Sequence, residues 1–524
     1  MLLDNSLGVR AESQPPANPT GASRTRQQPA RRKIEYVPLA RELDTHGGRD
    51  LNAIDAEHHY QSTKRPLRDQ NDWGTIDTDC LCMSIRSRLS IELSYALTTF
   101  TALSVMQGKT PGSGFPIAYC PDLLDDCLDL VEELAFGEPE MSPVSRSAEA
   151  SSRIFTNREL VSIVEDFQGQ PFASLQAYQG SKDPEIGTHQ RPANIILCVV
   201  NILRNLTAVA DNTEFLSTHL RLVDVLLRLC TVEQIDRQLP SPASKTLSLT
   251  DVLLIRKDTM YILVVLAGFV NLSHSNPTTL RVARRSFDLV ASYLVDPEDS
   301  LPPLASVQLA GVVPNANLKP PALADTALEV FTRLSQRDEN RQVLSKVVPQ
   351  QSLWLLIQRL VHRLPIVDAD FMLMRGELWC SFVEKTVMSI YSLIFLAPYE
   401  LKQKIKSDRR LAFKSVLLRV AHKVLAVMPN PDGRGLHAIP ARRAVEAIKL
   451  LDKAEELVDK SEPTMPVLSF GMGFSDGGDS SAEKGTGILG GNREVAWEMF
   501  MLRDVLQDEV LFNELDSLVR VECQ

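Results

Sequence analysis

Residues 195–230 read IILCVVNILRNLTAVADNTEFLSTHLRLVDVLLRLC. Ile195, Val199, Ile202, Leu203 and Leu206 recur at helical spacing. After a polar turn, Leu216, Leu220, Val223, Leu227 and Cys230 form a second apolar face, with Arg221, Asp224 and Arg228 opposite it. Asp211 with Glu214 three residues on is a capping-type start for that second helix. Two amphipathic helices joined by a short turn cannot bury their apolar faces alone, so the pair predicts stacked neighbours.

Neighbours of the same form follow. Asp258–Leu294 is an apolar helix ending at Asn271-Leu272, a polar turn, and a helix restarted at Pro277, where a first helical turn accepts proline. Leu323–Leu364 repeats the form, and Phe382–Ile405 does so more loosely, with Pro398 restarting the helix. The signature is then Asn205-Leu206, Asn271-Leu272, Leu334 and Leu396, with a period of roughly 62 to 66 residues. A bare armadillo or HEAT unit has ~40–47, so the surplus is assigned to loops or extra helices. Ile76–Met106 and Pro121–Phe136 make an earlier pair of the same kind.

Composition agrees. The chain has 524 residues, 44% of them hydrophobic and only 6% aromatic, so Leu and Val do the packing, as where helix stacks on helix. A net charge of −10 argues against a surface that is one continuous nucleic-acid groove, without excluding a local basic arm. The eight cysteines are scattered, which fits a reducing setting rather than a disulfide framework. The most apolar run, Met260–Leu272, is about 13 residues, where a membrane span needs ~20. No membrane association is expected.

The fold class is therefore all-α, an armadillo/HEAT-like helical-repeat solenoid with a disordered N-terminal tail and long inserted loops. Residues 1–33 read as a disordered basic tail, 34–75 as an extended and turn-rich lead-in, 76–460 as the helical repeats, 461–492 as a disordered Gly/Ser linker, and 493–524 as a C-terminal amphipathic helix. That last helix is either the final core helix or a ligand for another protein's groove. Arg24, Arg26, Arg31, Arg32 and Lys33 are a candidate import cluster, against the plainer reading of a solvated tail. Lys402, Lys404, Lys406, Arg409, Arg410 and Lys414 are either a solvated helix face or a patch for phosphate or an acidic partner.

Several short motifs resemble catalytic or metal-binding signatures without their context. Gly473-Phe474-Ser475-Asp476-Gly477 matches the nucleophile-elbow pattern, but that chemistry needs a strand before the serine and a helix after it, and here the match sits in a Gly-rich linker. Gly108-Lys109-Thr110 lacks the glycine a phosphate loop carries five residues earlier, where Leu103 stands. Cys80 with Cys82, and Cys120 with Cys127, lack zinc-finger spacing. Asp44, His46 and Asp50 surround Gly47-Gly48, and a helix-ending turn explains them better than a metal. No enzyme activity, cofactor or metal is expected.

Asn201-Ile202-Leu203-Arg204-Asn205-Leu206, then Asp211-Asn212-Thr213-Glu214-Phe215 and the helix after it, resemble the C-terminal armadillo-type region of the ARID-bearing subunit of SWI/SNF chromatin-remodelling complexes. Residues 36–51, YVPLARELDTHGGRDL, and the stretch Ile76–Ser90 resemble fungal versions of the segment leading into that region. The resemblance covers most of residues 34–460. It departs upstream, where the family carries an ARID, a DNA-binding domain of roughly a hundred residues, and this sequence has about 33 low-complexity ones. A fragment or a short form is expected, and an ARID's DNA binding is not carried over. The resemblance implies a nuclear, non-catalytic scaffold holding the remodelling ATPase subunit and core subunits, with nucleosome contact indirect or through the missing ARID. The alternative is a cytosolic armadillo-repeat adaptor for transport or the cytoskeleton. A regular ladder of Asn and Trp would favour it, and the four Trp do not recur by repeat.

Overall fold

Helices dominate because the apolar spacing, the proline starts and the caps agree. The computed structural model describes parts of 45–59, then residues 76–106, 112–137, 153–169, 191–234, 239–272, 276–309, 311, 319–427, 434–456 and 493–519. The chain divides into two units, Met1–Ile76 and Asp77–Gln524. In the first, β1 (Thr45–His46) and β2 (Arg49–Asp50) pair antiparallel. The helix-ending turn expected around Gly47-Gly48 lies outside the described residues.

The second unit is an all-α solenoid. Its first helices are α1 (Thr78–Ser87), α2 (Ser90–Val105), α3 (Pro121–Phe136), α4 (Asn157–Gln168) and α5 (Pro192–Thr207). Next come α6 (Thr213–Thr218), α7 (Leu220–Leu229), α8 (Leu249–Leu266), α9 (Pro277–Ser292) and α10 (Pro303–Leu309). Then follow α11 (Ala322–Leu334), α12 (Asp338–Val347), α13 (Gln350–His362), α14 (Asp368–Leu373) and α15 (Glu377–Leu396). The last are α16 (Tyr399–Ser407), α17 (Phe413–Val427), α18 (Arg434–Glu456), α19 (Arg493–Phe500), α20 (Arg503–Gln507) and α21 (Glu509–Val519). The only other strands among the described residues, β3 (Val232–Glu233) and β4 (Ser241–Pro242), make a small hairpin before α8.

Two rows of helices stack side by side. Row A runs α2, α5, α8, α11, α15, α18, each packed on the next. Row B begins α3, α7, α9, α12. The core lies between them, where α3 meets α5, α9 meets α11, and α17 meets α18. Val199, Ile202, Leu206, Leu226, Ile255 and Leu328 are all at most 1% exposed there. Each such side chain contributes about 1.5–3 kcal/mol of burial.

Local chemistry sets the helix ends. Pro121, Pro192 and Pro277 each open a helix at a position whose N–H has no partner to lose. Ser248 caps α8 in a reciprocal box with Asp251, the hydroxyl accepting from the Asp251 N–H at 3.1 Å and the carboxylate from the Ser248 N–H at 3.0 Å. The stretch 76–106, readable as one helix or two, breaks at Arg88, whose φ of 56° is left-handed. Its guanidinium donates to Ile85 O at 2.7 Å and to Glu133 at 2.8 Å, which holds the bend.

Three sequence expectations are corrected. The apolar helix before Asn271-Leu272 ends earlier, at Leu266, so Leu272 lies outside it. The helix expected across Leu216–Cys230 is broken at His219 into α6 and α7. The single closing helix is three, α19 to α21. The residues 1–33 and 461–492, with Gly473–Gly477 and Gly108–Thr110, lie outside the described residues.

α15, not the run at Met260–Leu272, is long and apolar enough to cross a membrane by length and composition. It is packed against α11, α12, α13 and α18, and Trp379, Phe382, Val387 and Ile390 on it are buried. A helix apolar on most faces is what a solenoid core requires of a row A member.

Candidate interaction surface

Polar side chains tie each row A helix to the next along the exposed side of the row. Asn205 on α5 donates to the Ser104 hydroxyl of α2 at 3.1 Å. Arg204 of α5 donates to Asp258 of α8 at 2.7 Å. Arg333 of α11 donates to the carbonyl of Val264 on α8 at 2.9 Å. Lys385 of α15 sits 2.9 Å from Asp325 and 3.2 Å from Glu329, both on α11. Arg443 of α18 lies over the Tyr391 ring of α15, 4.9 Å from its centroid. Among these links stand exposed apolar side chains, Leu254 and Tyr261 on α8, Leu378 and Phe395 on α15. A continuous face of half-buried polar links and separate apolar side chains can bind protein over a long path.

Row B is charged differently. Arg221 on α7 reaches three carboxylates of α3, Asp125, Asp129 and Glu132, and Arg86 of α1 reaches Asp126 at 2.6 Å. Farther along, Arg285 of α9 pairs with Asp224 of α7 at 2.7 Å. Near the C-terminal end Arg409 and Arg410 are exposed in a turn. Asp408 shapes that turn by accepting from the N–H groups of Arg410 and Leu411. Lys404 lies over the Trp354 ring at 4.4 Å, and Lys402 is half-buried. Burial lowers the Lys402 ammonium from its usual range.

The closing helices dock on the row ends. Met499, Phe500, Val505, Leu511 and Leu515 are buried, α19 packs on α17, and α21 packs on α18. His422 faces Glu498 at 3.2 Å and Lys449 reaches Glu514 at 2.5 Å. Of the two readings of this segment, the structure uses it as core.

The signature residues take different places. Leu206 and Leu334 are buried in the last turns of α5 and α11, and Leu396 is the last residue of α15, 4% exposed. Asn205 is half-buried and Asn271 is exposed. Leu272 is buried, but beyond the end of α8. The import cluster Arg24, Arg26, Arg31, Arg32 and Lys33 lies outside the described residues.

Two asparagines that the periodicity did not single out hold repeats together. Asn212 and Asn340 are both fully buried. Asn212 Nδ2 donates to Leu206 O at 3.1 Å and to Phe115 O at 2.9 Å, and its Oδ1 accepts from the Ile117 N–H at 3.1 Å. Asn340 Nδ2 donates to Leu334 O and Val270 O, both at 3.0 Å, and its Oδ1 accepts from the Leu272 N–H at 2.8 Å. Each asparagine closes its own row A helix and grips the loop after the preceding row A helix, at residues j and j+2. Leu272 thus corresponds to Ile117, and Leu206 to Leu334. The asparagine six residues after a helix-ending leucine, with an acid before it (Asp211, Glu339), was the available sequence signal. Asp211-Glu214 reads as a cap on paper, but the Asn212 side chain turns inward and makes no cap bond to α6.

Among the described residues no group of three or more His, Cys, Asp or Glu is placed to hold a metal ion. No disulfide joins the seven described cysteines. Burial pushes the Cys230 and Cys380 thiols up to about 11, so both are protonated at neutral pH.

The chain is similar to a subunit of a SWI/SNF chromatin-remodelling complex. That relative is the SWI/SNF chromatin-remodeling complex subunit sol1 of Schizosaccharomyces pombe, 22% identical over 402 residues. The aligned region is 69% of this chain and 44% of the relative, so the chain spans less than half the length of the protein it matches. No protein-family model matches. A crystal structure of an engineered protein aligns over 85% of this chain and 98% of its own, at 12% identity and a TM-score of 0.28. The two traces superpose too poorly at that score for fold or function to follow.

Proposed function

We propose that this chain is a non-catalytic scaffold subunit of a SWI/SNF-type ATP-dependent chromatin-remodelling complex, acting in the nucleus in transcription regulation. The observation that carries the reading is the similarity to sol1 over two thirds of the chain. The helical solenoid supports it, since row A offers a long polar-linked face suited to extended protein contacts. On this reading the armadillo-type rows hold the remodelling ATPase subunit and the core subunits of the complex. ATP hydrolysis belongs to the ATPase subunit, and DNA contact is indirect.

The test is affinity purification of the tagged chain from its own cells in moderate salt, followed by mass spectrometry. Co-purification of a remodelling ATPase with core subunits is expected. Recovery of transport or cytoskeletal proteins in their place would leave the solenoid standing and overturn the chromatin role.

A further inference from the structure

A cavity of about 170 Å³ opens where α4, α9, α10, α11 and α13 converge. A water occupies ~30 Å³ in the liquid, so a group of several heavy atoms fits. The charged side chains lining it are Arg158, Arg363 and Asp299; Arg158 is paired with Asp299 at 2.5 Å and with Glu298 at 2.9 Å, which leaves Arg363 as the one cation of the lining without an ion-pair partner. Two features of its wall are independent of each other.

The first is Arg363. It is 2% exposed and the largest of the fully buried side chains. Its Nη2 donates to Leu294 O at 3.1 Å, while its Nε has no hydrogen-bond partner. Asp296 and Asp299 act on it only from beyond ion-pair distance, and both are engaged elsewhere. Asp299 accepts from Arg158 at 2.5 Å, and Asp296 accepts from the Thr156 hydroxyl at 2.7 Å. Burial lowers the Arg363 guanidinium to about 10, which leaves it cationic at neutral pH. A buried cation with one hydrogen bond from five possible donors is costly, and an unpaired buried donor calls for an acceptor.

The second is the start of α11. Pro321 stands at its N-cap and supplies no side-chain acceptor. Leu323 and Ala324, in the first turn, line the cavity. The N-terminus of this 13-residue helix therefore brings unsatisfied N–H groups and a partial positive charge to the same space. Guanidinium and helix N-terminus together are the donor set that binds oxyanions.

We infer that this cavity binds a small oxyanion of the phosphate class, held between Arg363 and the N-terminus of α11. Such a ligand would pin α11 and α13 to the segment between α9 and α10. The inference is independent of the chromatin role.

The experiment uses the full 524-residue chain and inorganic phosphate. Titration calorimetry and thermal melts are run against chloride at matched ionic strength. Phosphate is kept below about 10 mM, where general exclusion from the surface adds little. The expected result is saturable 1:1 binding and a melting temperature raised by about 2–5 °C at a hundredfold excess over Kd. Arg363→Met should abolish both effects while leaving the unliganded melt unchanged or higher, because it removes an unpaired buried charge. Ser306→Phe, which fills the cavity and keeps the guanidinium, should abolish them too, and it carries the test if Arg363→Met does not fold. Absence of saturable binding to the unmutated chain overturns the inference. So does a shift of equal size in either folded variant, which would mean phosphate acts elsewhere on the surface.

Discussion

Replacing Asn340 by alanine should loosen one repeat junction and leave the others intact. The side chain satisfies two carbonyls and one N–H, and all three bonds are buried. Stranding a buried polar group costs about 1–3 kcal/mol. Three groups with partial relaxation give a loss of about 3–6 kcal/mol at that junction. Asn340→Asp keeps the acceptor for the Leu272 N–H but removes both donors and points a carboxylate at two carbonyls. It should be no milder than alanine at pH 7. Asn212→Ala should cost a similar amount two junctions nearer the N-terminus, because its three bonds are the equivalent ones. Asn205→Ala, at a half-buried residue bonded to the Ser104 hydroxyl, should cost only about 0.5–1.5 kcal/mol. A solenoid need not unfold in a single step, so the assay is hydrogen exchange read by mass spectrometry, segment by segment. Asn340→Ala should lose protection at residues 266–272 and 334–348, and Asn212→Ala at 114–118 and 206–218. If Asn340→Ala stays within about 0.5 kcal/mol of the parent, or costs no more than Asn205→Ala, the stapling argument fails.

Leu206→Asp should be severe, since the residue is fully buried and a carboxylate would enter the core without a partner. Thermal melts should show early loss of the α5 region, and an unchanged melt would contradict the core placement. The Lys385 cluster sets a pH window. Burial raises the Glu329 carboxyl, but hydrogen bonds from Arg333 and Lys385 outweigh it, so its net shift is downward from 4.5. Its contribution is therefore complete above that value and lost as pH falls through the lower folded one. Burial lowers the Lys385 ammonium, yet Asp325 and Glu329 carry it above 10.5, so its contribution is complete below 10.5 and lost as pH rises further. Glu329→Gln should flatten the acid limb of a stability–pH curve and Lys385→Met the alkaline limb, and limbs unchanged in both variants would sink the assignment. Alanine at Arg24, Arg26, Arg31, Arg32 and Lys33 should leave a tagged chain in the cytoplasm if that cluster drives import. Nuclear retention would show import by another signal or partner.

The all-α class was legible in the sequence because helix periodicity is local. Three to four residues decide which face a side chain takes, so α3 was readable to the residue, and α4 and α5 nearly so. Proline at the first helical position marked starts for the same reason. What misled was also local. Asn271-Leu272 looks like the helix end at Asn205-Leu206, yet the polypeptide leaves α8 at Leu266 and uses Leu272 to pair with an asparagine 68 residues away. Asp211 and Glu214 have cap spacing, but burying Asn212 between two loops satisfies three backbone groups, which outweighs one exposed cap.

The sequence by itself determined that this chain is a stack of amphipathic helices, where helices opened by proline such as α3 and α9 begin, and that its surface is mixed in charge. Only the tertiary structure decided which leucines correspond, which asparagines bind the repeats, that the closing helices belong to the core, and that Arg363 is buried beside the start of α11. The reason is separation along the chain. A helix is specified by neighbours within a turn or two, whereas each of these features joins residues some 40 to 100 positions apart. Nothing in a local pattern records which distant loop will supply the missing hydrogen bond.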